Sequence, residues 1–382
     1  MKIKKKIKIL SIIDSLNLKD GGPSHSLIDM ALANNADGLI HDIMYLGSKQ
    51  KIKSQDKIFI KTLDDSKLKY GFSLRLIFWL LKNKNNYDLF IIHGIWQFIT
   101  LISRIIIPNK YLVFTHGMLD PYFGNEKVKT IKKKIYWNLI EKKNLEKAKF
   151  VLSNSNKEFH QLKNTFVNTN KIKFKKVNYG LYPKKINFKI CEKKFVKQFK
   201  FIKNKKFILY IGRIHPKKGC LMMVKSFAKI KDSNFLLLLA GDMNNHYAKN
   251  IFEFVKREKL QNKIYFINFI KDQIKWGAIR KAMFTILPSH GENFGVSVVE
   301  SLYAGTPVIC SNKVGIAKIV KKDQAGIIVS DNINSIKSGL IKISNLHKKK
   351  IKNFSENSLN SFNKNFNLKI NNSFSNWLKT IT

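Results

Sequence analysis

Short runs of apolar residues recur along the whole chain, and most are followed by a polar turn and a stretch with helical spacing. The runs at 6–13, 87–93, 110–115 and 207–211 are continuous rather than alternating, which is typical of strands buried on both faces. Strands that alternate with helical stretches favour a parallel sheet. The pattern therefore predicts an α/β protein built from strand–helix units.

The alternation of strands and helices occurs twice, which predicts two domains. An irregular, lysine-rich stretch at 182–206 separates the two series. We place the N-terminal Rossmann-like domain at 1–185 and the second at 186–365, followed by a C-terminal helix at 366–382. A chain of 382 residues is long enough for two such cores.

The charge of the chain is its most unusual compositional property. It has 71 Lys and Arg against 25 Asp and Glu, a formal net charge of +46. Such a surface favours polyanions such as nucleic acid, anionic lipid or phosphorylated substrates. Coding bias is the competing explanation, because the chain is rich in Lys, Ile and Asn throughout. No run approaches the length of about 18 apolar residues that spans a bilayer, so we expect a soluble protein or one on a membrane surface.

The three cysteines, Cys191, Cys220 and Cys310, are widely separated and show no metal-ligand spacing. We expect reduced, buried thiols in a cytoplasmic protein. Basic residues precede an apolar stretch at the N-terminus, but that stretch is too short for a signal peptide and is interrupted by charged residues. It instead predicts a first strand.

The stretch 283–310 carries the strongest chemical pattern. It predicts a strand ending at Pro288, a polar loop, a helix from Gly295 and a second strand. Loops at the carboxyl ends of strands bind ligands in open α/β sheets. Free amides at a helix start attract phosphate, and Gly295 lets a diphosphate approach the backbone. Glu292 in the loop and Glu300 in the helix are positioned to accept hydrogen bonds from sugar hydroxyls.

These residues resemble the signature of glycosyltransferase family 4, whose members are retaining, nucleotide-sugar-dependent enzymes with two glutamates at this spacing. The match includes Asn293, Phe294 and Gly295 between the glutamates and 305–308 (GTPV) behind them. Asn293 replaces the commoner glycine, a variant associated with polysaccharide and lipopolysaccharide biosynthesis. The resemblance implies the GT-B fold, with two Rossmann-like domains facing across a cleft. It also implies a final helix that crosses back to the first domain, where Trp377 and Leu378 are the candidate anchors.

Two other stretches resemble the same family. His116 lies in THGMLDP, similar to the histidine motif of the acceptor-side domain, and Arg213 and Lys218 lie in GRIHPKKG, similar to the family's clamp for the donor diphosphate. The Gly21–Gly22 pair is either a plain turn or a glycine-rich loop for phosphate, and His93 is either structural or functional. The resemblance implies catalytic roles for His116 and Glu292 and donor binding by Gly21, Gly22, Arg213, Lys218, Gly241, Asn293, Phe294, Gly295, Val296 and Glu300. Asn268 stands where the family commonly has glycine, which leaves recognition of the base open.

The implied reaction moves a sugar from a UDP- or GDP-sugar to a glycan or polyprenol-linked acceptor, with retention by front-face displacement. Fixed cations and amides would stabilise the leaving diphosphate, so no metal or other cofactor is expected. Three readings compete: a basic nucleic-acid-binding protein, a catalytically idle GT-B membrane scaffold, and a sugar-nucleotide epimerase of similar fold. The chain has no zinc-finger spacing, RNP-like motif or helix-turn-helix signal, so no specific nucleic-acid partner is expected.

The stretch 126–149 predicts one long basic helix. Its apolar positions, among them Ile131, Ile135 and Leu139, either pack on the core or leave the helix free to rest on anionic headgroups. In the second case Tyr136 and Trp137 would lie at the interface. The expected location is the cytoplasm, peripheral on the inner face of the cytoplasmic membrane.

Overall fold

The structure, a computed structural model, describes residues 6–17, 22–48, 58–63, 69–119, 127–155, 158–160, 170–230 and 234–382. It does not describe the side chains of 127–130. The chain divides into two compact units. Unit 1 comprises Met1–Tyr182 together with Leu368–Thr382, and unit 2 comprises Pro183–Asn367.

Unit 1 is built on a parallel sheet with strand order β3-β2-β1-β4-β5-β6-β7. Its strands are β1 Lys8–Ile13, β2 Ile40–Tyr45, β3 Ile60–Thr62, β4 Leu89–His93, β5 Tyr111–Phe114, β6 Phe150–Ser153 and β7 Phe174–Lys176. Its helices are α1 Gly22–Ala36, α2 Leu74–Asn83, α3 Phe98–Ile106, α4 Lys127–Tyr136, α5 Lys142–Glu146 and, at the end of the chain, α14 Ser373–Ile381. Residues of β1, β4 and β5 are almost entirely buried, because helices cover both faces of the sheet.

Unit 2 repeats the plan with strand order β10-β9-β8-β11-β12-β13. Its strands are β8 Phe207–Ile211, β9 Leu236–Ala240, β10 Ile264–Phe266, β11 Phe284–Leu287, β12 Val308–Ser311 and β13 Gly326–Val329. Its helices are α6 Phe188–Gln198, α7 Cys220–Ala228, α8 His246–Arg257, α9 Asp272–Lys281, α10 Val296–Tyr303, α11 Ala317–Lys322, α12 Ile333–Ser344 and α13 Lys348–Asn365. All pairings in both sheets are parallel, so the predicted α/β class is confirmed.

The final segment of the chain returns to unit 1. Leu378 is fully buried and the Trp377 ring lies 5.1 Å from that of Phe150, edge to face. The side chain of Asn372 donates to Asp37 (2.7 Å) at the end of α1. Packing and hydrogen bonds thus both hold α14 against the first sheet.

Three expectations about elements need correction. The stretch 182–206 contains the helix α6, whose start is capped by the Asn187 side chain accepting from the amide of Ile190. Gly22, expected in a turn or a loop, is instead the first residue of the helix α1. The basic helix is interrupted by a π-helical turn, Trp137–Glu141.

The face that the basic helix buries also differs from the expectation. Trp137 is 3% exposed and belongs to the core of unit 1, so it cannot lie at a membrane interface. Ile131, Ile135 and Leu139 are instead 59%, 55% and 63% exposed. The π-helical turn contains one extra residue, which rotates the following side chains about the helix axis. The face that is buried therefore differs from the face that the apolar spacing predicts.

Candidate functional site

The strand order of unit 2 defines where a ligand site is expected. The chain runs outward from β8 to β10 on one side of the sheet and from β11 to β13 on the other. The reversal falls between β8 and β11, and open α/β sheets bind ligands at the carboxyl ends of the strands at such a point. Arg213 and Lys218 follow β8, and Glu292 follows β11, so the sheet brings these three predicted residues to one place.

The loop after β8 packs directly on the loop after β11. Gly219 has φ +70°, and a Cβ there would lie 2.3 Å from the carbonyl oxygen of Pro288, so only glycine fits. The amide of His290 donates to the carbonyl of Lys217 (2.9 Å). The two segments that resemble family motifs are thus joined through their backbones.

Lys218 and Glu292 form an ion pair, with their side chains 17% and 20% exposed. The backbone of Glu292 is held on both sides, since its amide donates to Lys313 (3.2 Å) and its carbonyl accepts from Gly315 (2.9 Å). Arg213 is exposed, and no ion pair or side-chain hydrogen bond of its guanidinium occurs within the described part of the chain. Arg213 is therefore available to an anionic ligand, whereas Lys218 must leave or share its partner.

The positive field of this loop is visible at His215. Burial, followed by the charges of Arg213, Lys218 and Lys217, lowers the pKa of His215. A further cation is disfavoured beside these residues, and an anion is favoured for the same reason.

The start of α10 adds hydrogen-bond donors to the site. Gly295 caps the helix at φ 101°, a conformation that favours glycine. Among the described residues, none accepts a hydrogen bond from the amides of Val296 and Ser297. Free amides at the start of a helix are a binding site for phosphate oxygens.

Asn293 is the most informative residue of the loop. Both polar atoms of its side-chain amide are shielded from solvent, and neither has a hydrogen-bond partner within the residues that the structure describes. Burying such groups unpaired costs about 1–3 kcal/mol. A ligand that forms hydrogen bonds with the Asn293 amide would remove this cost and so explain why the residue is placed there. Phe294, the next residue, is buried and packs edge to face on Phe366 (5.9 Å), so it supports the loop.

Glu300 lies one helical turn deeper and has a partner that the sequence did not reveal. Its carboxylate accepts from Lys275 of α9 at 2.6 Å, and the two side chains are 9% and 14% exposed. Lys275 stands over the ring of the adjacent Trp276 at 4.9 Å. Lys275 is thus a candidate site residue that only the packing of α9 on α10 identifies.

The neighbouring strand of unit 2 contributes Gly241. It follows β9 directly, and its amide donates to the carbonyl of Asn268 (2.9 Å). Asn268 has φ 52°, in the left-handed region where glycine is favoured and asparagine is tolerated. An asparagine at this position is therefore compatible with the backbone conformation that the loop adopts.

Unit 1 gathers a second group of predicted residues at the carboxyl edge of its sheet. His93 ends β4 and His116 follows β5, and the two rings are joined by a hydrogen bond between His93 Nδ1 and His116 Nε2 (2.8 Å). His116 has φ 48°. Burial lowers the pKa of His116 to about 3, and burial, followed by the neighbouring histidines, lowers that of His93 well below its usual value. Both rings are therefore neutral near neutral pH.

Glu158 holds the His116 loop in place, a role that no motif in the sequence indicates. Its buried carboxylate accepts from the hydroxyl of Thr115 (2.5 Å) and the amides of Gly117 (2.6 Å) and Asn154 (3.0 Å). These bonds flank His116 on both sides in the chain. They explain how a non-glycine residue is kept at positive φ.

The remaining predicted positions do not join these groups. Gly22 is the first residue of α1, beyond the end of β1 in unit 1, and Gly21 lies outside the described residues. Within the described parts of the chain, no group of three or more His, Cys, Asp or Glu side chains is arranged to hold a metal ion. The three cysteines are buried and none forms a disulfide.

Comparison with known proteins defines the class to which this architecture is similar. Residues 192–361 match the model of the family described as Glycosyl transferases group 1. The crystal structure of Anabaena HepE in complex with UDP-glucose superposes with a TM-score of 0.77 at 16% identity, over 98% of this chain and 100% of that one. At this identity the likeness shows the fold alone. The fold is the GT-B fold, as the sequence resemblance implied.

Two curated relatives are similar over part of the chain. An uncharacterized glycosyltransferase of Methanocaldococcus jannaschii is 28% identical over 144 residues, 37% of this chain and 36% of that protein. The N-acetylgalactosamine-N,N'-diacetylbacillosaminyl-diphospho-undecaprenol 4-alpha-N-acetylgalactosaminyltransferase of Campylobacter jejuni is 27% identical over 155 residues, 38% of this chain and 41% of that protein. The matches thus span about two fifths of these relatives or less. Together with the family model they support a glycosyl transfer role.

Proposed function

We propose that the protein transfers a sugar from a nucleotide-sugar donor bound in unit 2. The observation that carries the proposal is the group of residues at the reversal point of the second sheet. Arg213 and Lys218 supply cations there, Val296 and Ser297 supply free amides, and Asn293 supplies a buried amide without a partner. A nucleoside diphosphate sugar offers an anion for the first two and hydroxyls for the third.

Each charged residue has a distinct proposed role. Arg213 and Lys218 stabilise the negative charge that grows on the leaving diphosphate. When the diphosphate attracts Lys218, the carboxylate of Glu292 is released to orient the sugar and stabilise positive charge at its reacting carbon. Glu300 accepts from the ribose hydroxyls, and its ion pair with Lys275 orients the carboxylate for that contact.

The finer assignments rest on the resemblance to glycosyltransferase family 4. They are retention of anomeric configuration, independence of a metal, and a catalytic contact of His116 with the sugar or phosphate. The anomeric configuration of the product, followed by NMR during the first turnovers, tests the first. An inverted product would remove the assignment to this family while leaving glycosyl transfer intact.

The donor and acceptor classes are proposed from the relatives. The Anabaena structure contains UDP-glucose, and the Campylobacter relative is named for an undecaprenol diphosphate acceptor. We propose a UDP- or GDP-sugar as donor and a glycan or polyprenol-linked saccharide as acceptor. Thermal shift across a panel of nucleotide sugars, followed by product analysis with the best ligand, tests both.

A matched control makes the donor test sharper. Lys206 is exposed at the amino end of β8, the opposite end of the strand from Arg213 and Lys218. Lys206→Ala changes the charge by the same amount as Lys218→Ala and leaves the site untouched. We expect only Lys218→Ala to reduce the thermal shift. An equal reduction of the thermal shift in both variants would show that binding depends on the overall charge of the protein rather than on this site.

We further propose that unit 1 docks on anionic lipid through α4 and the π-helical turn, at the cytoplasmic face of the membrane. Ile131, Ile135 and Leu139 form an exposed apolar stripe at four-residue intervals, and the exposed Lys132 and Lys134 lie between them. An apolar stripe flanked by cations matches an anionic headgroup layer in both chemistry and charge. Each net lysine near such a surface contributes about 1 kcal/mol. No helix among the described residues has the length and apolarity needed to cross a membrane.

Vesicle sedimentation tests the docking. Replacing Lys132, Lys133 and Lys134 by Gln should weaken binding to anionic vesicles, and replacing Ile131, Ile135 and Leu139 by Ser should do the same without a change in charge. The matched control is the exposed triplet Lys348, Lys349 and Lys350 of α13, changed to Gln. Equal binding to neutral and anionic vesicles, or an equal loss in the control, would contradict the proposal.

A further inference from the structure

A chain of buried polar side chains runs through unit 1 from the end of α1 to His116. Its inner members, Ser11, His41 and Asn34, are fully buried, and none belongs to the site predicted from the sequence. Consecutive members are 2.8–3.2 Å apart. Because each atom in such a chain either donates or accepts, fixing the hydrogens at one end determines the rest.

At the end of this hydrogen-bonded series that lies next to α14, the hydrogen positions are fixed by two groups that can act only as an acceptor or only as a donor. The carboxylate of Asp37 can only accept, and it lies 2.7 Å from one side-chain atom of Asn372, which must therefore be the nitrogen. The other side-chain atom of Asn372 accepts from the amide of Ser375 (3.3 Å), which can only donate. Two independent contacts thus give Asn372 the same orientation.

The orientation of Asn372 determines which ring nitrogen of His41 carries the hydrogen. The nitrogen of Asn372 donates to the oxygen of Asn34 (3.2 Å), so the nitrogen of Asn34 faces Nδ1 of His41 (2.9 Å). That ring nitrogen must accept, and the hydrogen of the neutral ring lies on Nε2. Burial lowers the pKa of His41 to about 3, in agreement with a neutral ring. Nε2 of His41 therefore donates to the hydroxyl of Ser11 (2.8 Å).

The hydroxyl of Ser11 in turn determines the hydrogen positions on His93 and His116. Its hydroxyl already accepts from His41, and Nε2 of His93, 3.0 Å away, is the other partner recorded for it in the described structure. A fully buried hydroxyl hydrogen pointed elsewhere would be unsatisfied, so Ser11 donates to His93. Nδ1 of His93 then carries a hydrogen and donates it to Nε2 of His116 (2.8 Å).

We propose that this chain fixes His116 as a neutral ring with its hydrogen on Nδ1, and that Asn34, His41, Ser11 and His93 are positioning residues for it. His116 is partly exposed, and no further hydrogen bond of its ring occurs among the described residues. The ring therefore offers one directed N–H to an oxygen of a bound substrate, and its other nitrogen is already occupied. It acts as a hydrogen-bond donor rather than as a base that collects a proton. The substrate contact rests on the proposed function, whereas the hydrogen position does not.

The hydrogen positions can be measured directly without any substrate. Protein labelled with ¹⁵N-histidine gives ring nitrogen shifts that distinguish the two neutral forms, and His116→Gln assigns the resonance. We expect His116 and His93 to carry the hydrogen on Nδ1 and His41 on Nε2. A hydrogen on Nε2 of His116 in the unchanged protein would overturn the proposal.

Substitution of Ser11 tests the coupling. In Ser11→Ala the hydroxyl that forces Nε2 of His93 to accept is absent, so we expect His116 to become a mixture of both forms. Ser11→Thr retains the hydroxyl and should restore the single form. Ser153→Ala is the matched control, because Ser153 is also fully buried in this sheet and its hydroxyl has no hydrogen-bond partner among the described residues, the histidines included. An unchanged His116 in Ser11→Ala would refute the coupling.

A second variant changes the opposite end of the hydrogen-bonded series and provides a test if Ser11→Ala does not fold. Asn372→Ala leaves Asn34 free to turn its amide, and we expect the fixed forms of His41 and His116 to be lost together. If transfer activity is found, Ser11→Ala should also lower kcat about tenfold with little change in KM for the donor. The predicted ring form without any transfer activity would count against the proposed function alone.

Discussion

The buried carboxyl of Glu141 allows a quantitative prediction about stability. Glu141 ends the π-helical turn and is fully buried, and one of its oxygens has no hydrogen-bond partner within the described residues. Burial raises its pKa from 4.5 to about 7, which hydrogen bonds from the backbone of Trp96 and the side chain of Asn144 offset only in part. The folded protein thus holds a proton that the unfolded chain releases between these two pH values.

The sign of the pH effect follows from proton binding. Where the folded state binds more protons than the unfolded state, the free energy of unfolding falls as pH rises. Glu141 should therefore lower stability progressively from its unfolded pKa up to about 7 and have a constant effect above. The two pKa values give a loss of about 2.5 kcal/mol between about pH 5 and about pH 8.

Replacing Glu141 by Gln removes this titration and leaves a side chain of similar shape. We expect the stability advantage of the variant over the unchanged protein to grow by about 2.5 kcal/mol from about pH 5 to about pH 8. For a unit of this size that is a shift of about 5–10 °C in the melting temperature of unit 1. Because all other titrations are common to both proteins, including those of the buried histidines, they cancel in the difference.

Calorimetry of the two proteins at both pH values makes the measurement. Glu146→Gln is the matched control, since Glu146 lies on the next helical turn and is partly exposed beside Lys142 (4.0 Å). An advantage of Glu141→Gln that is equal at both pH values would show that the carboxyl has the same charge in both, and would refute the reasoning. An equal pH dependence in Glu146→Gln would assign the effect to general charge.

The remaining predictions concern the donor site. Arg213→Ala or Lys218→Ala should weaken nucleoside diphosphate binding by about 1.5–3 kcal/mol, and unchanged affinity in both by calorimetry would remove them from the site. Glu292→Gln should chiefly lower turnover, because its carboxylate faces charge that grows in the transition state; full turnover in this variant would disprove that role. Glu300→Gln should chiefly raise the dissociation constant of the donor, as equilibrium titration would show. Asn293→Leu should lose donor affinity while gaining thermal stability, and a loss of both would assign Asn293 to packing. Activity should survive dialysis against a chelator, and a strict need for magnesium or manganese would contradict the proposed use of fixed cations.

The strands and the donor loops were open to sequence reasoning because the information for them is local. The strands β1, β4, β5 and β8 lie where continuous apolar runs predicted them. Arg213, Lys218 and Glu292 follow strand ends, and a parallel sheet brings its strand ends to one edge whatever the remaining details. The reversal point between β8 and β11 then sets which of these ends are neighbours.

Other features depend on contacts between distant residues and have no local signal. Lys275 precedes Glu300 by 25 residues, and only the packing of α9 on α10 pairs them. Glu158 holds the His116 loop from a separate segment. The basic helix shows a further reason, since its spacing defines one apolar face at Ile131 and Ile135, yet the buried face carries Glu141 and Asn144. A pattern of hydrophobicity does not predict the burial of a carboxylate.

The return of residues 368–382 to unit 1 has a consequence for how the chain folds as it is made. Unit 2 is one continuous segment, Pro183–Asn367, so all of it is available before the last residues leave the ribosome. The first 182 residues are synthesised earlier but must wait for α14, whose Leu378 fills the core and whose Asn372 reaches Asp37. The half that is translated first is therefore the half that is completed last. During that interval the apolar surface that α14 covers, which includes the ring of Phe150, is where a chaperone would be expected to bind.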